Sequence, residues 1–237
     1  MNTIKNFIFF YLNPGKEVVR EYTFYDKLKG TGSLLVFNFL FLIFSGVLIN
    51  TLLIEFGLLI DPTVTKKSFT LIEQALVFGV LIAPLVEEII SRVWLVYSDF
   101  NISIAVSTLV VVLIFKILMS ADYHRLIDAP LNAFVLLSVG IVIFYSTQFL
   151  VKKSLEVSSF ISANIRILAT MSGVAFGYLH LYNYKITLNL LLLSPIVLIN
   201  YIVGGLLIGY IRIRFSFFYA VLLHIAFNAV LLLIKYR

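Results

Sequence analysis

What most constrains this chain is a series of long apolar stretches from which charge is almost absent. Ser33–Ile54, Ala129–Val151 and Ile186–Ile211 contain no charged residue. Asn101–Ser120 carries only Lys116, Ile167–Tyr184 only His180, and Phe215–Ile234 only His224. A bilayer core of about 30 Å is crossed by roughly 20 residues of helix. In lipid, every backbone N–H and C=O must be paired internally, so such stretches fold as helices. A seventh stretch, Phe69–Phe100, is equally apolar but is interrupted by Pro84, Glu87, Glu88 and Arg92. The chain is 61% hydrophobic and 13% charged, against about 45–50% and 25% in soluble domains. That balance excludes an ordinary soluble enzyme, a disordered chain and a nucleic-acid-binding module. The expected fold is an all-α, polytopic membrane helix bundle of about seven transmembrane helices. It forms one transmembrane domain over 33–237, in contact with the lipid bilayer.

Residues 1–32 have a different character. An aromatic run, Phe7–Leu12, leads to the turn Asn13-Pro14-Gly15 and then to charges from Lys16 to Lys29. The run is too short and too aromatic for a signal peptide, and no small-residue cleavage site follows. It reads as a cytoplasmic, interfacial segment. Orientation follows from the basic residues between spans. With the N-terminus cytoplasmic, the inner side receives 11 Lys and Arg: five before the first span, then Arg92, Lys152, Lys153, Arg166, Arg212 and Arg214. The outer side receives six: Lys66, Lys67, Arg125, Lys185, Lys235 and Arg237. There is no cysteine, which removes disulfides, iron–sulfur clusters and thiolate metal sites.

Ionisable groups within spans are costly and normally face a bundle interior or a wet cavity. Three groups stand out, each at helical spacing. In Pro84-Leu-Val-Glu87-Glu88-Ile-Ile-Ser-Arg92, the two carboxylates lie about 100° apart around a helix, so both cannot face lipid. Glu88 and Arg92, four apart, share a face and can pair, which leaves Glu87 pointing elsewhere. Phe176 and His180 share a second face, and His224 and Asn228 a third. Each group alone has an ordinary explanation, as an interfacial helix end or an interhelical hydrogen bond. Together they hold nearly all the strongly polar side chains of the spans that carry them, and one wet cavity would satisfy them all. Other polar residues have bland readings. Lys116 snorkels or pairs across a helix, Glu73 is interfacial, and Asp122, His124, Arg125 and Asp128 belong to a solvated loop. Glycines near the fifth and sixth spans permit close helix approach.

These residues resemble the CAAX protease and bacteriocin-processing (Abi) family of intramembrane glutamic endopeptidases. Its motifs are Glu-Glu-x-x-x-Arg, Phe-x-x-x-His and His-x-x-x-Asn, in that order on separate membrane helices. Here they read Glu87-Glu88-Ile-Ile-Ser-Arg92, Phe176-Gly-Tyr-Leu-His180 and His224-Ile-Ala-Phe-Asn228, within a protease-like core at about 69–234. Two features depart from the family pattern. Ser91 stands where an aromatic or large apolar residue is usual, and 88 positions separate Glu88 from Phe176. The resemblance implies hydrolysis of a protein or peptide substrate at the membrane. Glu87, with His180, would be the general base that activates water, and Glu88 and Arg92 would hold the site in shape. His224 and Asn228 would stabilise the tetrahedral oxyanion, beside Phe176. Peptide hydrolysis needs such a base, such donors and shielding from bulk water.

Two Glu and two His could instead ligate zinc, but His-Glu-x-x-His on one helix is absent. No cofactor is therefore expected, zinc being the runner-up. Two other functions fit the composition. One is a non-catalytic bacteriocin-immunity or binding protein on the same scaffold. The other is a transporter or proton pathway through Glu87, Glu88 and Lys116, which the lack of an inverted repeat disfavours.

Overall fold

The computed structural model describes residues 3–13, 21–47, 51, 53, 55–57, 71–119, 130–152 and 154–235. Pro14 and Gly15 of the expected turn and the charges Lys16, Arg20, Lys66, Lys67, Lys153 and Arg237 lie outside them, as does the loop with Asp122, His124, Arg125 and Asp128. Among the described residues the elements are helices and no strand forms, as expected of an all-α polytopic bundle.

Helix α1 (Thr3–Leu12) turns Phe7 and Phe10 inward and leaves Ile8, Phe9 and Leu12 exposed. At about 1.5 Å per residue it is too short to cross a bilayer. Helix α2 (Phe24–Leu42) continues into a π-helical turn, Ile43–Val47. Thr23 and Asp26 form a reciprocal capping box at its start, which satisfies two otherwise orphaned N–H groups. The helix therefore begins well before the uncharged run at Ser33 and takes Lys27 and Lys29 into its first turns.

A short turn, Ile72–Gln74, then passes into π-helical Ala75–Ile82, helix α3 (Ala83–Arg92) and the 3-10 turn Val93–Leu95. This element stops short of the expected Phe100. Ser98 Oγ accepts from the N–H of Asn101 at 3.0 Å, and Asn101 Nδ2 donates to the Val96 carbonyl at 2.6 Å. These local bonds end one helix and start the next, α4 (Asp99–Met119), which packs along α5 (Pro130–Val151).

Helices α6 (Leu155–Ala163) and α7 (Ile165–Leu179), the latter extended by a 3-10 turn His180–Asn183, meet at 77°. At the corner, Asn164 Nδ2 donates to the Phe160 carbonyl at 2.9 Å. Helices α8 (Leu188–Val197) and α9 (Ile199–Arg214) are bent by 42°. Pro195 lies inside α8; it lacks an N–H and its ring crowds the preceding turn, so the helix breaks within a few residues. Helix α10 (Phe217–Lys235) closes the chain. Among the described residues, four helices could cross a membrane by length and composition, or six if each bent pair is one span, and the charge-bearing stretch 72–95 is not among them. Apolar side chains line the outside, among them Phe134, Leu137, Val142 and Phe149 on α5, as lipid contact requires.

The bundle is drawn together where α7 packs along α9. A Cβ placed on Gly177 would lie 2.4 Å from Ile202 Cγ1, and one on Gly205 would lie 2.6 Å from the Gly173 carbonyl oxygen. Only hydrogen fits at either point, so the two backbones touch. The core beside this contact joins Phe7, Phe10, Leu34, Leu95, Leu207, Tyr210 and Leu223. Yet the largest fully buried side chain described is not apolar: it is Arg92.

Candidate active site

Pro84 enters α3 in its first turn, where a missing N–H is least costly in an ordinary helix. Here the preceding turn is π-helical, and the Ala83 N–H bonds to the Phe78 carbonyl, five residues back. In that register the next donor, for the Gly79 carbonyl, would be residue 84, which has none. Asn228 Nδ2, from α10, donates to Gly79 O at 3.1 Å and supplies the bond. Asn228 thus ties α10 to the stretch that leads into the acids.

One turn earlier on α10, His224 meets those acids directly. Its Nδ1 is 2.9 Å from Glu88 Oε1, and its Nε2 is 3.8 Å from Glu87 Oε2. Glu88 Oε1 also accepts from Arg92 Nη1, the pairing that their spacing predicts. Glu88 and Arg92 are both wholly buried, whereas the Glu87 side chain is 40% exposed. Two neighbouring carboxylates therefore have opposite surroundings. Glu88 is buried against a cation and an imidazole; Glu87 is part-exposed beside the same imidazole. Ser91, the small residue next to the motif arginine, does not loosen this packing: the Arg92 guanidinium lies 4.4 Å from the centre of the Phe176 ring. A desolvated cation over an aromatic face gains about 2 kcal/mol or more, which helps offset the cost of burying it.

Phe176 joins the motifs. Its ring centre is 4.8 Å from that of His180 and 5.6 Å, edge to face, from that of His224. His180 sits where α7 tightens into its 3-10 turn, and its Nδ1 is 2.9 Å from the Phe176 carbonyl. A carbonyl only accepts, so Nδ1 carries the hydrogen. The His180 ring also stacks on Tyr201 of α9, 4.1 Å between centres and 24° from parallel.

The structure links Glu87, Glu88, Arg92, Phe176 and His224 through a connected set of pairwise contacts, attaches His180 through Phe176, and sets Asn228 one turn along, on Gly79. Among the described residues no group of three or more His, Asp or Glu is arranged to hold a metal ion. Three neighbours of the site were not foreseen. Tyr201 is one of 13 tyrosines, and nothing in its local sequence sets it apart. Ser172 Oγ donates to the Ser91 carbonyl at 2.8 Å. Arg212, which the sequence presents as a span-end charge, is buried and donates to the carbonyls of Arg92 and Val93. The one sequence clue is that Arg212 and Arg214, two apart, point to opposite sides of a helix, so that in a packed bundle one of them is turned toward its neighbours.

Three comparisons with known proteins bear on this site. No curated protein and no solved structure matches the chain. A family model described as Type II CAAX prenyl endopeptidase Rce1-like matches residues 70–230. That range covers most of the chain and takes in all three motifs and every contact just described. The chain belongs to the Rce1-like family of type II CAAX prenyl endopeptidases.

Proposed function

We propose that this protein is an intramembrane endopeptidase that hydrolyses a peptide bond in a membrane-associated or hydrophobic substrate, using water activated by Glu87 and His180. The observation that carries this reading is the contrast between the two acids. Glu87 is the half-exposed carboxylate, open to water and substrate. Glu88 and Arg92 form the buried pair that fixes His224 from behind. Glu87 takes a proton from water as it attacks the scissile carbonyl and returns it to the amine nitrogen as the C–N bond breaks, and His180, with Nδ1 held on the Phe176 carbonyl, assists through its other nitrogen. His224 offers Nε2, and Asn228 its amide, to the developing oxyanion. An imidazolium at His224 would be offset by the two carboxylates beside it. Phe176 walls the site and keeps the two imidazoles apart. No metal takes part in this scheme, and the N-terminus is cytoplasmic.

The test uses detergent-purified protein and a membrane-anchored or hydrophobic C-terminal peptide. Cleavage is expected, with Glu87→Ala lowering turnover by at least about 10²-fold, the usual minimum for losing a general base, while helicity and melting are retained. Unchanged turnover in Glu87→Ala would overturn the mechanism. Activity lost in excess chelator and restored by zinc would replace the metal-free scheme with a zinc one. A Glu87→Ala strain still protected against a bacteriocin would favour the immunity alternative.

A further inference from the structure

We propose that Arg212 is a positioning residue of this site, holding the carbonyl end of the helix that bears Glu87, Glu88 and Arg92. The proposal rests on the reading of those residues as the reacting centre. A helix leaves its last carbonyls without partners, and their dipoles attract a cation. At the end of α3 those groups are met by side chains of other helices. Ser172 of α7 donates to Ser91 O at 2.8 Å. Arg212 of α9 donates from Nε to Arg92 O at 3.3 Å and from Nη2 to Val93 O at 2.7 Å.

The location is demanding. Arg92 leaves α-helical geometry at φ −139° and ψ −16°, as the chain tightens into the 3-10 turn Val93–Leu95. The angle at which the Arg92 side chain re-enters the bundle depends on that backbone. Its guanidinium must reach both Glu88 and the Phe176 ring, and Glu88 in turn orients His224. Arg212 has little freedom to do otherwise: it is 7% exposed, and its guanidinium lies 5.6 Å from the Phe217 ring centre. It therefore spans 120 residues of sequence to fix the one backbone segment on which the buried ion pair turns. Its fork of donors suits two successive carbonyls. Lysine can reach them with one ammonium; glutamine loses the charge.

The experiment compares wild type, Arg212→Gln and Arg212→Lys in two ways: peptide cleavage, and hydrogen–deuterium exchange resolved by peptide. In Arg212→Gln, kcat is expected to fall about 10–100-fold, the scale of a small misplacement of reacting groups, with KM within twofold. Exchange is expected to rise in peptides covering 88–98 and to stay unchanged in those covering 217–235. Arg212→Lys is expected to recover part of both. Wild-type kcat together with wild-type exchange over 88–98 would overturn the proposal. So would loss of protection spread evenly over all helices, which marks a general structural role. If the wild type cleaves no peptide, the proposed function fails, and the exchange pattern still decides whether Arg212 holds this segment.

Discussion

Replacing Glu88 with glutamine keeps the size of the side chain and removes one charge, and the structure sets what that removal should cost. Glu88 and Arg92 have no exposed surface, and Arg92 Nε and Nη2 are buried without a hydrogen-bond partner among the described groups. The carboxylate is the counter-charge for a cation that, among the described residues, also lies against the Phe176 ring. Removing one partner of a buried pair costs about 3–5 kcal/mol, because the other charge is left uncompensated. At about 2–4 °C per kcal/mol for a chain of this size, Glu88→Gln should lower the melting temperature by roughly 6–20 °C. Glu87→Gln provides the contrast. Its side chain is 40% exposed and 3.8 Å from His224, so solvent screens the pair and its loss costs no more than about 1 kcal/mol. Adjacent, chemically identical substitutions should thus differ several-fold in stability cost. Thermal unfolding of both variants in the same detergent measures this. A second comparison isolates the cause. Glu88→Gln combined with Arg92→Met removes both charges and should recover much of the lost stability, since apolar replacement of a buried pair is often neutral. Equal losses for Glu87→Gln and Glu88→Gln would refute the opposite environments of the two acids. A double variant no more stable than Glu88→Gln would refute the unpaired Arg92 as the source of the loss.

Two further outcomes test the framework around the site. Gly177→Ala would drive a methyl to within 2.4 Å of Ile202 Cγ1 and 2.9 Å of Ile202 N, so it should cost about 1–3 kcal/mol by overpacking; Gly32→Ala meets nothing within 4 Å and should leave melting unchanged or slightly higher. Asn228→Ala should cost about 1–3 kcal/mol by stranding the Gly79 carbonyl, and the loss should shrink in a Pro84→Ala background, where residue 84 regains an N–H; an equal loss in both backgrounds, read by melting, would show that Pro84 is not what creates the need for Asn228.

Much of this could be read in the sequence because it depends on spacing along a single helix. Glu88 and Arg92 lie one turn apart, and so do Phe176 and His180, and His224 and Asn228. Each pair could be placed on a face without knowing where any helix lies. Partners between helices were less accessible. Scarcity of charge implied that the polar groups meet, but not that His224 would bridge both carboxylates. Neither could spacing divide the two acids into one buried and one half-exposed, because that depends on what packs against each side of α3. The spans Ile167–Tyr184 and Ile186–Ile211 were legible as apolar lengths, but the corner at Asn164, just before the first, and the bend that follows Pro195, within the second, are local events that hydropathy does not register.

Least legible were the side chains that bind backbone. Asn228 bonds Gly79, Ser172 bonds Ser91, and Arg212 bonds Arg92 and Val93. A carbonyl has no residue identity, so no motif can name it as a partner, and a sequence reading sees only half of each bond. Yet these contacts explain how the site can lie in so short and irregular a helix. Proline removes a donor at one end of α3, and a 3-10 turn interrupts the ladder at the other. In an apolar interior each unpaired carbonyl would be costly. Side chains from α7, α9 and α10 supply the missing donors, and two of those helices carry the other two motifs. The same bonds that satisfy α3 therefore bring Phe176 and His224 to Glu88 and Arg92. Assembly of the site and completion of its backbone hydrogen bonding use the same contacts. A variant that relieves the backbone need by another route, as Pro84→Ala does for Gly79, should accordingly loosen the dependence of folding on the motif residue that had met it.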